Sequence, residues 1–158
     1  MKRAHFFGSL ATLCAASALG AATAAPQRYA VVHSDAEWKK LLGPQRYPIL
    51  RQAGTEPAFS SPLIKETRAG TYHCAGCNLA AFSSKVKYDS GDGWPSFWTV
   101  LPNATLTSSD YQLVEERTEV HCKRCGSHLG HIFNDGPAPT HLRYCIDGLA
   151  LRFDATHA

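Results

Sequence analysis

Two C-x-x-C pairs, Cys74-Ala75-Gly76-Cys77 and Cys122-Lys123-Arg124-Cys125, constrain this chain more than any other feature of its sequence. A tight turn between two such cysteines points both thiols the same way. Two of these knuckles supply the four sulfur ligands of a closed, tetrahedral structural zinc site. The knuckles are separated by 44 residues, longer than a compact zinc ribbon, so the intervening chain is a substantial piece of fold clipped at both ends. The competing use of the same residues is oxidative. In an oxidising compartment four cysteines can pair in three ways. A bridge inside one C-x-x-C is strained and readily reduced, which leaves cross-pairing as the alternative to zinc.

Residues 1–25 differ in character from the remainder. Lys2 and Arg3 precede an uncharged, largely apolar run from Phe6 to Gly20, and Ala22-Thr23-Ala24 fits the small-x-small rule for cleavage. The expectation is a cleaved signal peptide over 1–25, cut near Ala24 or Ala25, followed by a mature domain over 26–158. The apolar run is shorter than the roughly 20 residues that cross a bilayer, and no later stretch approaches that length. The expected compartment is therefore extracytoplasmic, the bacterial periplasm, with no membrane association after cleavage. The 16 Lys+Arg face 13 Asp+Glu, and removing Lys2 and Arg3 leaves 14 against 13. A nearly neutral domain lacks the field for nonspecific nucleic-acid or anionic-membrane binding, so no nucleic-acid partner is expected. Cys14 leaves with the leader. Beyond the knuckles Cys145 then stands alone: buried and inert, paired with another chain, or reactive.

The chain pattern predicts short helices first and β structure after. Ser34-Asp35-Ala36-Glu37 reads as a capping box, Trp38, Leu41 and Leu42 share a helical face, and Gly43-Pro44 stops the helix. Pro44 can open a second short helix, limited by Pro48, and residues 53–57 are a turn-rich connection. From Gly70 onward short apolar or alternating runs are separated by turn residues. The expected strands are Thr71–Cys74, Phe97–Leu101, Tyr111–Val120, Leu129–Phe133, Leu142–Ile146 and Leu149–Phe153. The turn chemistry argues for antiparallel sheets, not βαβ units. Asp147-Gly148 predicts a two-residue hairpin between the last two runs. Strand alternation then puts Arg143, Cys145 and Asp147 on one face and Tyr144 and Ile146 on the other.

Two further features carry chemistry. His128-Leu129-Gly130-His131 places two imidazoles close in sequence. On a regular strand they face opposite sides, and a bend at Gly130 would bring them together; an isolated H-x-x-H is otherwise ordinary. Trp94 closes the loop Tyr88–Phe97 (YDSGDGWPSF) and is either a substrate platform or a plug onto the core.

The segments Gly54–Pro57, Tyr72-His73-Cys74, Tyr88–Phe97, His128–Phe133 (HLGHIF), Asp135-Gly136-Pro137, Arg143–Ile146 (RYCI) and Leu151-Arg152-Phe153 together resemble the B-type methionine-R-sulfoxide reductases. They occur in that family's order and span nearly everything after Val32. The resemblance implies a mainly β fold of two antiparallel sheets with short N-terminal helices, stapled by zinc held on Cys74, Cys77, Cys122 and Cys125. It implies that Cys145 is the nucleophile, attacking the sulfoxide sulfur of a methionine-R-sulfoxide residue to give a sulfenic acid and release methionine. His128 and His131 match the histidines that place and protonate the sulfoxide oxygen. Trp94 matches the aromatic that receives the methyl group, and Arg143 matches an arginine beside the pocket. Partners so implied are oxidised proteins or peptides as substrates, in repair of oxidative damage, and a thioredoxin-like or other external thiol as reductant. The chemistry fits: a sulfoxide sulfur becomes electrophilic once its oxygen is protonated, so a thiolate and an acid are the minimum kit. His⁺ and Arg143 are the expected sources of a lowered thiol pKa.

Two positions depart from the pattern. Many members carry a second cysteine where this chain has Asp92, resolving the sulfenic acid as an internal disulfide. Without it, direct reduction by an external thiol is expected. Asp147 stands where the family commonly has Asn, in the substrate pocket, and a carboxylate there opposes thiolate formation unless it is paired. The contrasting reading is a non-catalytic, zinc-stabilised extracytoplasmic binding module.

Overall fold

The computed structural model describes residues 27–156; the expected leader lies outside them. The chain opens with helix α1, Asp35–Gln52, whose capping box at Ser34 and Glu37 is formed as expected. The helix breaks at Gly43 (φ 68°, ψ 178°), so Pro44 starts a second short segment. Trp38, Leu42, Ile49 and Leu50 are its buried face. None of the described helices is long and apolar enough to cross a membrane.

Nine strands follow: β1 Gly70–Cys74, β2 Ala80–Ser83, β3 Lys87–Tyr88, β4 Ser96–Phe97, β5 Thr105–Asp110, β6 Arg117–Cys122, β7 His128–Phe133, β8 Arg143–Ile146 and β9 Leu151–Ala155. They form two antiparallel sheets, a three-stranded one ordered β2-β1-β9 and a six-stranded one ordered β3-β4-β8-β7-β6-β5. Between them lies an aromatic and aliphatic core. Phe82 stacks on Phe97 at 4.4 Å, Tyr72 meets Phe97 edge-on at 5.0 Å, and Leu129, Ile146 and Leu151 close the gaps.

Three sequence expectations are corrected. The predicted strand Tyr111–Val120 is instead a turn followed by β6, because Asp110 pairs with Arg117 and closes the β5–β6 hairpin there. The predicted run Phe97–Leu101 contributes only its first residue to a strand, β4. The predicted hairpin across Asp147-Gly148 does not form. β8 belongs to the large sheet and β9 pairs with β1 in the small one. The chain passes between them through a 3-10 turn, Gly148–Ala150. The Glu56 carboxylate fixes that turn, accepting the N–H groups of Gly148 and Leu149.

Candidate active site

Cys145 lies on β8, between β4 and β7, with Ser96 opposite it on one side and His131 on the other. It is half-buried and free of any disulfide. Burial is the main influence pushing its thiol up to about 12. The charge and hydrogen bond of Asp92 add to this, and the charge of Arg143 opposes it. This differs from the lowered pKa expected from sequence. The positive charge of Arg143 is already shared, since its guanidinium binds Asp92 and pairs with Asp135 at 2.8 Å, while stacking 4.4 Å from the Phe133 ring.

Both histidines reach the same place. The β6–β7 register shifts between Val120 and His121, and Gly130 adopts φ 151°. A side chain at Gly130 would put its Cβ 2.1 Å from the Cys145 carbonyl oxygen, so only glycine lets the strands approach here. The irregularity turns His128 and His131 toward each other, with ring centroids 5.3 Å apart.

Each histidine has a carboxylate partner that sequence reading did not identify. His128 Nδ1 lies 2.7 Å from Glu119, and His131 Nε2 lies 2.7 Å from Asp110. Their surroundings shift their titration in opposite directions. Burial opposes protonation of His128, but Asp147 and Glu119 outweigh it and push the ring up to about 9. Burial lowers His131, and Arg117 reinforces this although Asp110 opposes it. Asp110 is bound to Arg117 at 2.6 Å.

Glu56, read from sequence as part of a turn and of the family-like segment Gly54–Pro57 but given no role, joins the site's outer parts. Its backbone N–H donates to Asp147 Oδ1 at 2.9 Å, and its carbonyl accepts Trp94 Nε1–H at 3.1 Å. Trp94 is half-buried, and its own N–H donates to Asp92 at 3.1 Å. Gly93, at φ 97°, lets this loop pass within contact of Ala58 and Phe59. Asp147 is buried beside His128 and not against Arg143. A cavity of about 490 Å³ opens next to Arg143, lined also by Tyr88, Ser90, Asp92 and Asp135. A larger one, about 840 Å³, lies against α1 and β9 and touches none of the six predicted catalytic and substrate-pocket residues.

The four knuckle thiols converge. Cys74, Cys77, Cys122 and Cys125 have sulfurs all within 4.8 Å of one another, with contacts of 3.8 Å (Cys74–Cys125) and 3.5 Å (Cys77–Cys122). None is in a disulfide. Tetrahedral zinc at about 2.3 Å from each sulfur separates the ligands by about 3.8 Å, so the cluster has the size and donor chemistry to hold one ion. Each knuckle is closed by a backbone turn, Asn78 N–H to Cys74 and Gly126 N–H to Cys122, both 2.8 Å. Cys74 ends β1 and Cys122 ends β6, so an ion here would join the two sheets.

Residues 42–155 match the SelR domain family. The chain is 52% identical over 126 residues to a Leptospira interrogans protein named peptide methionine sulfoxide reductase MsrB, covering 79% of this chain and 96% of that one. A Methanosarcina barkeri protein of the same name is 50% identical over 78% of this chain and 88% of its own length. One from Leifsonia xyli is 49% identical over 79% and 91%.

Proposed function

The chain belongs to the SelR-domain family of peptide methionine sulfoxide reductases named MsrB, and on that premise we propose how its residues carry out the reaction. It is an enzyme that reduces methionine sulfoxide in peptides. The observation that carries the residue assignment is the register of β8: it sets Cys145 directly across from His131, with His128 brought alongside by the bend at Gly130.

Cys145 is the nucleophile. Its sulfur bonds to the sulfoxide sulfur while a histidine gives a proton to the oxygen. The protonated oxygen then passes from the substrate sulfur to the Cys145 sulfur as the transient sulfur–sulfur bond breaks, leaving Cys145 as a sulfenic acid and releasing the thioether. The R epimer is selected because one chiral sulfur must present its methyl group to the Trp94 ring and its oxygen to the histidines together. Arg143 orders the rim by holding Asp92 and Asp135. The sulfenic acid has no cysteine partner among the described residues outside the metal cluster, which supports direct reduction by an external thiol, such as a thioredoxin-like protein. The substrates are oxidised proteins or peptides, repaired after oxidative damage.

Zinc is the ion the four-thiol cluster suits best, since four sulfur donors at tetrahedral spacing leave no open position. Cys74, Cys77, Cys122 and Cys125 would hold it, and its contribution is structural. The leader pattern of residues 1–25 supports export and a periplasmic location.

The test offers each epimer of a methionine sulfoxide peptide with dithiothreitol to the wild type and to Cys145→Ser. The expected result is turnover of the R epimer only, lost in the variant. Turnover that survives in Cys145→Ser contradicts the assignment of the nucleophile, and the absence of any turnover in wild type favours the non-catalytic binding module instead.

A further inference from the structure

Asp147 is 3% exposed, a burial that an aspartate tolerates only with partners. Its Oδ1 accepts the Glu56 N–H at 2.9 Å, and its Oδ2 lies 3.7 Å from His128 Nε2. The other ring nitrogen of His128 meets Glu119 at 2.7 Å. The imidazole is therefore flanked by a carboxylate at each end. Yet Nε2 is buried and has no hydrogen-bond partner. A buried polar atom left unpaired is costly and marks a place that a ligand oxygen completes. His131 does not offer the same: its Nε2 is taken by Asp110.

We propose that Asp147 is a positioning residue that acts through His128. Together with Glu119 it holds the ring as the imidazolium and leaves Nε2–H as the donor that meets the sulfoxide oxygen. The proposal rests on the methionine sulfoxide reductase reading of the site. The titratable groups around the ring are Glu119 and His121 on β6, His131 on β7, Asp147 itself, and Glu56 behind Asp147. The two carboxylates in contact with the ring dominate over burial and over the neighbouring imidazoles. The step balances without another reactant. The Nε2 proton passes to the sulfoxide oxygen as the Cys145–sulfur bond forms, the proton released by the Cys145 thiol restores the ring, and the sulfur–sulfur bond breaks as the hydroxyl moves to the Cys145 sulfur. One thiol and one sulfoxide become one sulfenic acid and one thioether. Where Asn occupies this position, as is common in the family the chain resembles, the donor lacks this buried charge. The consequence here is a donor that stays protonated into alkaline solution.

The experiment follows the imidazole nitrogens of His128 by NMR across a pH series in the metal-loaded protein, wild type and Asp147→Asn. Asn keeps an oxygen for the Glu56 N–H and removes only the charge. In wild type both His128 nitrogens are expected to stay protonated to about pH 8, and in the variant the titration should fall by about one pH unit or more. The alkaline limb of single-turnover reduction of a methionine-R-sulfoxide peptide should move down with it. Glu119→Gln, which removes the other flank, should shift both readouts in the same sense. A His128 titration unmoved in Asp147→Asn overturns the proposal, as does a rate profile that stays fixed while the titration moves. Failure of wild type to reduce the peptide at any pH is the failure of the functional reading instead.

Discussion

Burial and Asp92 push the thiol of Cys145, the proposed nucleophile, up to about 12. A resting thiol of this kind is protected from casual oxidants, because susceptibility follows thiolate character and exposure. Alkylation of Cys145 should therefore be slow near neutrality and accelerate up to strongly alkaline pH. Asp92→Asn removes the charge that favours the thiol while keeping an acceptor oxygen, so it should raise the alkylation rate at about pH 8 by roughly tenfold for each pH unit the thiol falls. An unchanged rate would mean that Asp92 does not face the sulfur. His128 makes a second, separate prediction. Its folded pKa, about 9, lies above the ordinary histidine value of 6.5. The linked stability is then fully present below the unfolded value and is lost as pH rises through the folded one. Denaturant midpoints should decline between those two pH values, and His128→Gln should flatten that decline.

At the level of strands and turns, Gly130 and Glu56 decide whether the site assembles. Gly130→Ala forces a Cβ to within 2.1 Å of the Cys145 carbonyl oxygen, so β7 and β8 must separate. The expected cost is about 2–4 kcal/mol, read as a lowered unfolding midpoint with loss of activity. Glu56→Ala strips the acceptor from the Gly148 and Leu149 N–H groups, and leaving these buried donors unsatisfied should cost about 1–3 kcal/mol. These two residues also show what the sequence could and could not disclose. The capping box at Ser34, the kink at Gly43 and the strands ending at Cys74, Phe133 and Ile146 were legible because each is set by local chemistry. β5, Thr105–Asp110, was not, because a strand that is polar but for Leu106 has no apolar alternation to read. The Asp147-Gly148 hairpin was misread for a related reason. Its turn residues were locally suitable, but a carboxylate 92 residues away in sequence takes the Gly148 N–H and sends the chain into the other sheet. Likewise Cys145, His128 and His131 stood out by residue type and spacing. Glu119 and Asp110 looked like ordinary surface carboxylates until strand pairing placed them against imidazoles.

Across the whole molecule the two sheets meet at the core and at the cysteine cluster, where Cys74 and Cys77 follow the small sheet and Cys122 and Cys125 the large one. Metal removal should therefore loosen the packing between sheets before it alters the site chemistry. The protein as isolated is expected to carry one zinc per chain by elemental analysis, and chelation should lower the melting temperature sharply. A metal-free protein with an unchanged melting temperature would deny the cluster its structural part. Under the proposed mechanism the Cys145 sulfur takes the oxygen atom, and isotope transfer tests that directly. A peptide carrying methionine-R-sulfoxide with a heavy-oxygen label is mixed with one equivalent of reduced protein, without added thiol, and the protein is digested and weighed. The account predicts the heavy oxygen on the peptide containing Cys145, trapped as a sulfenic acid adduct, with the substrate released as unlabelled methionine. Label on any other residue, or methionine formed while Cys145 stays unoxidised, would contradict it.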